Sequence, residues 1–231
     1  MNIVYWSDFA CPYCYIGETR LKKAIKELTE EGSLNEPVTL QMRAFRLDPD
    51  AKALPESDTV TRFAKKYRMS PMLAAHQVEK ISSLGQREGL EFNYAGTKST
   101  NTADAHRLVK LAYTKDQGTA EKVIEALFKA YFADNLILSD RDILTEIGVQ
   151  NGLEESKIRE MFDSYMYAQE VIEDEKAAYA KGVTGVPYFE INDKQVYGTG
   201  QKEHFKRYIM EAAPEVSESN THICGPDGCK L

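Results

Sequence analysis

Asn2-Ile3-Val4-Tyr5-Trp6-Ser7-Asp8-Phe9-Ala10-Cys11-Pro12-Tyr13-Cys14 is the stretch on which the reading of this sequence turns. Residues 2–6 are rich in β-branched and aromatic side chains and read as a strand. Downstream, Leu21, Ile25 and Leu28 recur at helical spacing. Cys11-Pro12-Tyr13-Cys14 therefore sits on a strand-to-helix turn, with Cys11 near the N-cap, Pro12 at the first helical position and Gly32 as the stop. Two cysteines so spaced form a dithiol able to close into a disulfide. A helix N-terminus presents unpaired N–H groups and partial positive charge, and both favour a thiolate over a thiol. The contribution of such a terminus to a nearby charge is about 0.3–1 kcal/mol.

Composition bounds the rest. The 231 residues suffice for one large domain, or one domain carrying an insertion. Apolar content of 42% and charged content of 28% fit an ordinary globular protein. A net charge of −7 argues against a nucleic-acid binder, which needs basic surface for phosphates. No apolar run approaches membrane-span length, and no basic-then-apolar secretory leader is evident, so a cytoplasmic protein without membrane partners is expected. Thiols in that compartment are more often catalytic, redox-sensing or metal-binding than structural. All four cysteines fall in close pairs, 11/14 and 224/229.

Val38 to Phe45 reads as a second strand. From about Ser57 to Lys181 the pattern is helical. Ser70-Pro71 opens one helix that Gly89 closes. Asn101 or Thr102 caps another, Thr119 opens the next, and Asp140 starts a shorter one. Glu154 to Lys181 reads as one long helix ending at Gly182. Strand character returns at Pro187–Ile191 and Gln195–Gly198, joined by an Asn192-Asp193 turn, and a last helix spans about Gln201 to Ala212. Without the helical block the order is β-α-β-β-β-α. The expectation is one discontinuous α/β domain (residues 1–50 and 182–213), an inserted helical subdomain (51–181), and a polar tail (214–231) containing the second cysteine pair.

The CxxC after the first strand, together with Thr184-Gly185-Val186-Pro187 before a hairpin, resembles the thioredoxin superfamily. A helical insertion between the second and third strands resembles its DsbA branch. The match is closer still to FrnE-like, DsbA-family thiol–disulfide oxidoreductases, through Trp6–Cys11, Arg43–Pro49, Asn101–Leu108 and the C-terminal Cys-x4-Cys. The resemblance implies a thioredoxin fold with an all-helical insertion, and a cis Val186-Pro187 peptide beside the dithiol. Such a turn offers the backbone of Val186 to a peptide substrate and places no N–H of its own next to the sulfur.

The expected chemistry is thiol–disulfide exchange. Cys11, solvent-accessible at the helix end, attacks; Cys14, about one turn in and more buried, resolves the mixed disulfide. Asp8, three residues before Cys11, is either a proton-managing carboxylate or a turn residue capping the strand end. Trp6, Phe9, Tyr13, Tyr15 and Tyr188 flank the dithiol or the proline, and are read either as an apolar substrate platform or as core. Core is favoured for Trp6 and exposure for Tyr13. His106 reads as a structural helix histidine and stays outside the catalytic set.

Cys224-Gly225-Pro226-Asp227-Gly228-Cys229 joins two cysteines by a strong turn signal. The readings are a second redox pair, which the resemblance to FrnE supports, zinc binding by the four thiols, and a structural remnant. No cofactor or metal is needed by the first. The expected partners are protein or small-thiol disulfides, with glutathione or a thioredoxin-type reductant as electron donor. Two alternatives stand beside this. One is a glutathione-dependent isomerase or transferase of the kappa-class or 2-hydroxychromene-2-carboxylate isomerase type, which typically has serine at the position of Cys11. The other is a metal-binding or chaperone-like protein.

DsbA carries histidine after the proline of its CxxC, whereas Tyr13 offers a neutral hydroxyl. The dithiol is therefore expected to equilibrate with glutathione at roughly −230 to −180 mV, a milder poise than DsbA at about −120 mV. A redox titration as oxidising as DsbA overturns that expectation.

Overall fold

The computed structural model describes residues 1–34, 36–191 and 194–212. Four strands, β1 (Asn2–Ser7), β2 (Thr39–Ala44), β3 (Tyr188–Ile191) and β4 (Lys194–Tyr197), form one sheet in the order β2-β1-β3-β4. β1 pairs with β2 in parallel and with β3 antiparallel, so segments from the two ends of the sequence meet at the centre of the sheet. Helix α1 (Pro12–Glu30) joins β1 to β2. Helices α2 (Thr59–Tyr67), α3 (Pro71–Arg87), α4 (Ala103–Lys115), α5 (Gln117–Phe132), α6 (Arg141–Gln150), α7 (Glu155–Phe162) and α8 (Ala168–Ala180) lie between β2 and β3, and α9 (Lys202–Ala212) follows β4. This is a thioredoxin-type α/β architecture with the helices inserted between the second and third strands. The Asn192-Asp193 turn lies outside the described residues.

Local chemistry accounts for most helix ends. Cys11 is the N-cap of α1 and Pro12 its first residue. Gly32 stops the helix in the left-handed region at φ +67°. Ser70 caps α3, and Asp140 caps α6 by accepting from the Asp142 and Ile143 amides. Two boundaries differ from the sequence reading. α5 is capped by Asp116, which accepts from the Thr119 amide at 2.7 Å, so Thr119 lies in the first turn rather than opening the helix. The stretch from Glu154 to Lys181 is two helices, with Tyr167 in the left-handed region at φ +63°.

The cause of that break is Arg107 on α4. Its guanidinium donates to the Met161, Ser164 (2.7 Å) and Met166 (2.8 Å) carbonyls and to the Asp104 carboxylate. One buried cation thus satisfies backbone carbonyls that a continuous helix would have used internally.

β2 is an edge strand, and the insertion covers its edge. The Met42 amide donates to the Tyr113 hydroxyl at 2.8 Å, the Ala44 amide to Asp174 at 2.8 Å, and the Arg46 amide to Glu175 at 3.0 Å. Alternate amides of the strand and its extension therefore end on side chains of α4 and α8. The Arg46 guanidinium completes a bidentate pair with Glu175. The hydrophobic core is continuous across this junction. Ile3, Tyr5 and Phe189 of the sheet cluster with Leu108, Leu127, Phe128 and Phe132 of the insertion. A smaller cluster on the other side holds Trp6, Phe45, Ala178, Val183 and Tyr188.

Among the described residues no helix is long and apolar enough to cross a membrane. Arg107→Ala is expected to destabilise the protein by about 3 kcal/mol in urea unfolding, because it strands several backbone carbonyls, while Asp104 keeps its pair with Arg141. A loss below 1 kcal/mol contradicts this account of the α7–α8 break.

Candidate active site

β1 delivers Ser7 and Asp8 to its C-terminal end, and the turn that follows places Cys11 at the mouth of α1. The Cys11 amide donates to the Asp8 carbonyl at 3.0 Å and the Cys14 amide to the Cys11 carbonyl at 3.1 Å. Both thiols are free. Val186-Pro187 is a cis peptide, and the Cys11 thiol donates to the Val186 carbonyl at 3.6 Å. Gly17 allows α1 to approach this loop. A Cβ there would lie 3.1 Å from the Phe189 ring, 3.3 Å from the Pro187 ring and 3.3 Å from the Thr199 backbone.

Cys14 is 1% exposed, and burial pushes its thiol well up, with the neighbouring Cys11 thiol adding to the effect. Cys14 is thereby held protonated. Cys11 is also buried, at 3% exposure, where the sequence reading expected a solvent-accessible helix end. The Val186 loop and the insertion both close over it. Cys11 opens into a cavity of about 710 Å³ whose walls include Val186, Tyr13, Leu47 and, from α2, Arg62, Phe63 and Tyr67. Access to the sulfur runs through this cavity.

Asp8 is buried. Its carboxylate accepts from the Leu47 amide at 2.8 Å and the Ala10 amide at 3.3 Å, and lies 3.6 Å from His106 Nε2. Burial alone would raise this carboxyl. The His106 imidazole and the two amides outweigh it and hold Asp8 below its ordinary value. His106, placed in the structural background by the sequence reading, is thus brought against the acid of the dithiol turn. It is buried, packs on Phe9 at 4.9 Å between ring centroids, and its Nε2 has no hydrogen-bond partner among the described residues. The signal that marks it is the capping motif upstream. Asn101 accepts from the Ala103 amide at 2.8 Å and donates to the Pro49 and Ala51 carbonyls, which docks the start of α4 on the loop after β2.

The aromatic candidates separate cleanly. Trp6, Phe9 and Tyr188 are fully buried, and Trp6 donates to the Asp174 carbonyl at 2.8 Å. Tyr15 stacks on Phe128, Phe132 and Phe92 inside the helical block. Tyr13 alone of the five lines the cavity, 42% exposed. The remaining apolar wall comes from Leu47, Phe63, Tyr67 and Tyr94 instead. Cys224 and Cys229 lie outside the described residues. Among the described residues no group of three or more His, Cys, Asp or Glu is arranged to hold a metal ion.

Residues 2–210 match the DSBA-like thioredoxin domain family. The chain belongs to that family. A probable DsbA oxidoreductase from Streptomyces coelicolor, SCO1869, is 30% identical, and the match covers 100% of this chain and 99% of that one with a TM-score of 0.83. YwbO of Bacillus subtilis (strain 168), described as uncharacterized, is 23% identical over 91% of this chain and 96% of its own length. The cytosolic disulfide reductase DsbM of Pseudomonas aeruginosa, 15% identical with a TM-score of 0.60 over 91% of this chain and 98% of its own, shares the fold. So does a 2-hydroxychromene-2-carboxylate isomerase, 14% identical with a TM-score of 0.65 over 92% and 94%.

For this DsbA-like chain the sign of the Asp8 shift sets a pH dependence. A carboxyl lowered on folding contributes stability that is full above its unfolded value, about 3.9, and is lost as pH falls through the lower folded value. Asp8→Asn is expected to flatten the acid limb of stability between about pH 5 and 3. His106→Gln is expected to make that limb shallower, since it removes part of what holds Asp8 down and brings its folded value back toward the unfolded one. Urea unfolding at a series of pH values checks both; an unchanged acid limb in both variants contradicts the assignment.

Proposed function

We propose that this protein is an FrnE-like thiol–disulfide oxidoreductase acting through Cys11 and Cys14. The observation that carries the reading is the Cys11 thiol at the N-terminus of α1, lining a cavity and donating to the Val186 carbonyl of a cis X–Pro turn. Cys11, as the thiolate, attacks one sulfur of a substrate disulfide. A Cys11–substrate disulfide forms and the second substrate sulfur leaves as a thiolate. Cys14 then gives up its proton and attacks Cys11, which closes the 11–14 disulfide and releases the substrate thiol. The substrate disulfide is reduced and the dithiol oxidised; the reverse sequence oxidises a dithiol substrate. No organic cofactor or metal enters these steps.

Val186 supplies backbone contact. A thiol at Cys11 donates to its carbonyl, but a thiolate or a disulfide has no proton to donate. Reaction of Cys11 therefore frees the carbonyl for the amide of an extended substrate chain, in the manner of strand addition. Pro12 and Tyr13 shape the mouth. Tyr13, its phenol pushed up by burial, Tyr67 and Cys11, remains a neutral hydrogen-bonding group. Asp8, with His106, is the nearby acid–base pair for the proton of Cys14. Cys224 and Cys229 are proposed as a second redox pair that takes electrons from, or returns them to, the first. The proposed compartment is the cytosol, since paired rather than scattered cysteines suit redox traffic more than structural cross-linking. Cysteine rather than serine at position 11 favours this reading over a glutathione-dependent isomerase or transferase.

Cys14→Ser is expected to accumulate mixed disulfides through Cys11 that dithiothreitol releases, and Cys11→Ser to form none. Mass spectrometry of the trapped species identifies whether the captured thiol is a protein, glutathione, or Cys224 or Cys229. Equal trapping by the Cys11→Ser variant contradicts the assignment of the nucleophile.

A further inference from the structure

We infer that helix α2 makes the cleft selective for polypeptide disulfides whose cysteine is flanked by acidic residues, a specificity that rests on the oxidoreductase reading above. The protein carries a net charge of −7, so a basic cleft runs against its average. α2, Thr-Val-Thr-Arg-Phe-Ala-Lys-Lys-Tyr, contains Arg62, Lys65 and Lys66 and no carboxylate. All three line the cavity that holds Cys11.

Among the described residues none of the three pairs with a carboxylate. Several lysines elsewhere do. Lys22 meets Glu18, Lys23 meets Glu88, and Lys202 and Lys206 meet Glu27. Arg62 donates to the Ser99 hydroxyl at 2.6 Å. The carboxylates of the same wall are Asp48 and Asp8, and Asp8 is engaged by the Leu47 and Ala10 amides. Thr100, 3% exposed, is also among the residues around this cavity, and its buried hydroxyl has no partner among the described residues.

A polypeptide occupant rather than a small thiol is favoured because a second cleft borders the first. A second cleft of about 530 Å³ shares Tyr13 and Ile81 with the first and runs along α3, where Lys80 and Arg87 add two cations against Glu79. The cavity at Cys11, about 710 Å³ by itself, already falls in the range of roughly 300–1,000 Å³ that holds a drug-sized molecule. The neighbouring cleft offers space for chain beside Tyr13. An extended segment with its cysteine at Cys11 and its backbone at Val186 would rest apolar side chains on Phe63, Tyr67 and Tyr13. Its flanking carboxylates would meet Arg62, Lys65 and Lys66. Exposed charges of this kind act chiefly on the rate of encounter and are screened by salt.

The test uses three peptides of equal length. Each has one cysteine in a disulfide with 2-mercaptoethanol, flanked on both sides by Glu, Gln or Lys. The full-length protein, reduced beforehand and freed of reductant, is mixed with each in single turnover, so the protein dithiol supplies both electrons. At low ionic strength the Glu peptide is expected to react about tenfold faster than the Lys peptide, with Gln between, and 0.5 M NaCl to compress the spread. K65E/K66E, with circular dichroism confirming its fold, is expected to abolish or invert the Glu-to-Lys rate ratio.

No ranking in the wild-type protein at low salt, or a ranking unchanged in K65E/K66E, overturns the proposal. So does an oxidised-glutathione rate that falls in K65E/K66E while the peptide ranking stays put, because the basic helix then serves a small acidic disulfide. Failure to reduce even the Gln peptide brings down the oxidoreductase reading itself, and this proposal with it.

Discussion

A buried carboxylate at the end of β1 holds the dithiol turn together. Asp8 takes the Leu47 amide with one oxygen and the Ala10 amide with the other, faces His106, and gives its own carbonyl to the Cys11 amide. Three stretches far apart in sequence thus converge on one residue: the CxxC turn, the loop after β2 and helix α4. A charge taken out of water is strongly unfavourable unless it is paired and hydrogen-bonded. The turn that positions Cys11 therefore depends on the insertion being docked. The helical block is part of the dithiol turn's physical support, and the core that runs without interruption from Ile3 and Phe189 to Phe128 and Phe132 says the same in apolar terms.

The edge of the sheet obeys the same logic. β2 would present open amides at Met42, Ala44 and Arg46, and the insertion meets each with a side-chain oxygen. Asp174 also receives Lys110, and its carbonyl receives the Trp6 indole, so α8 touches both neighbouring strands. Polar groups that have partners only in the assembled structure make assembly cooperative, since removing either side leaves the other unsatisfied. This explains why an α/β domain interrupted after its second strand can tolerate seven helices before its third.

How much of this the sequence shows depends on the range of the interactions involved. The β1–CxxC–α1 unit and the caps at Ser70 and Asp140 are legible because each is decided within a few residues. The order of elements is legible because hydrophobic period changes from two to 3.6 and back. The break between α7 and α8 is not, because its cause is a guanidinium on α4 that competes for the carbonyls. Nor is the cap at Asp116, where Thr119 carries an equally good local signal. His106 reads as an ordinary helix histidine until Asn101 is seen docking its helix on the Pro49–Ala51 loop. The burial of Cys11 follows from the cavity that α2 and the Val186 loop build around it, and no local pattern encodes that. The family-level resemblance reaches the thioredoxin architecture and the placement of the insertion, whereas the walls of the cleft come from side chains such as Phe63 and Tyr94 whose roles are purely tertiary.

The two sulfurs are linked in a way that orders the proposed reaction. Burial raises the Cys14 thiol, and Cys11 raises it further, by hydrogen bonding and, as a thiolate, by its negative charge. A mixed disulfide at Cys11 removes that second influence, because the captured sulfur carries neither a proton nor a negative charge. In the proposed reaction Cys14 would then keep the burial that raises its thiol but lose the contribution of Cys11. The thiolate fraction governs attack on a disulfide, so in the proposed reaction capture by Cys11 would itself promote the resolving step.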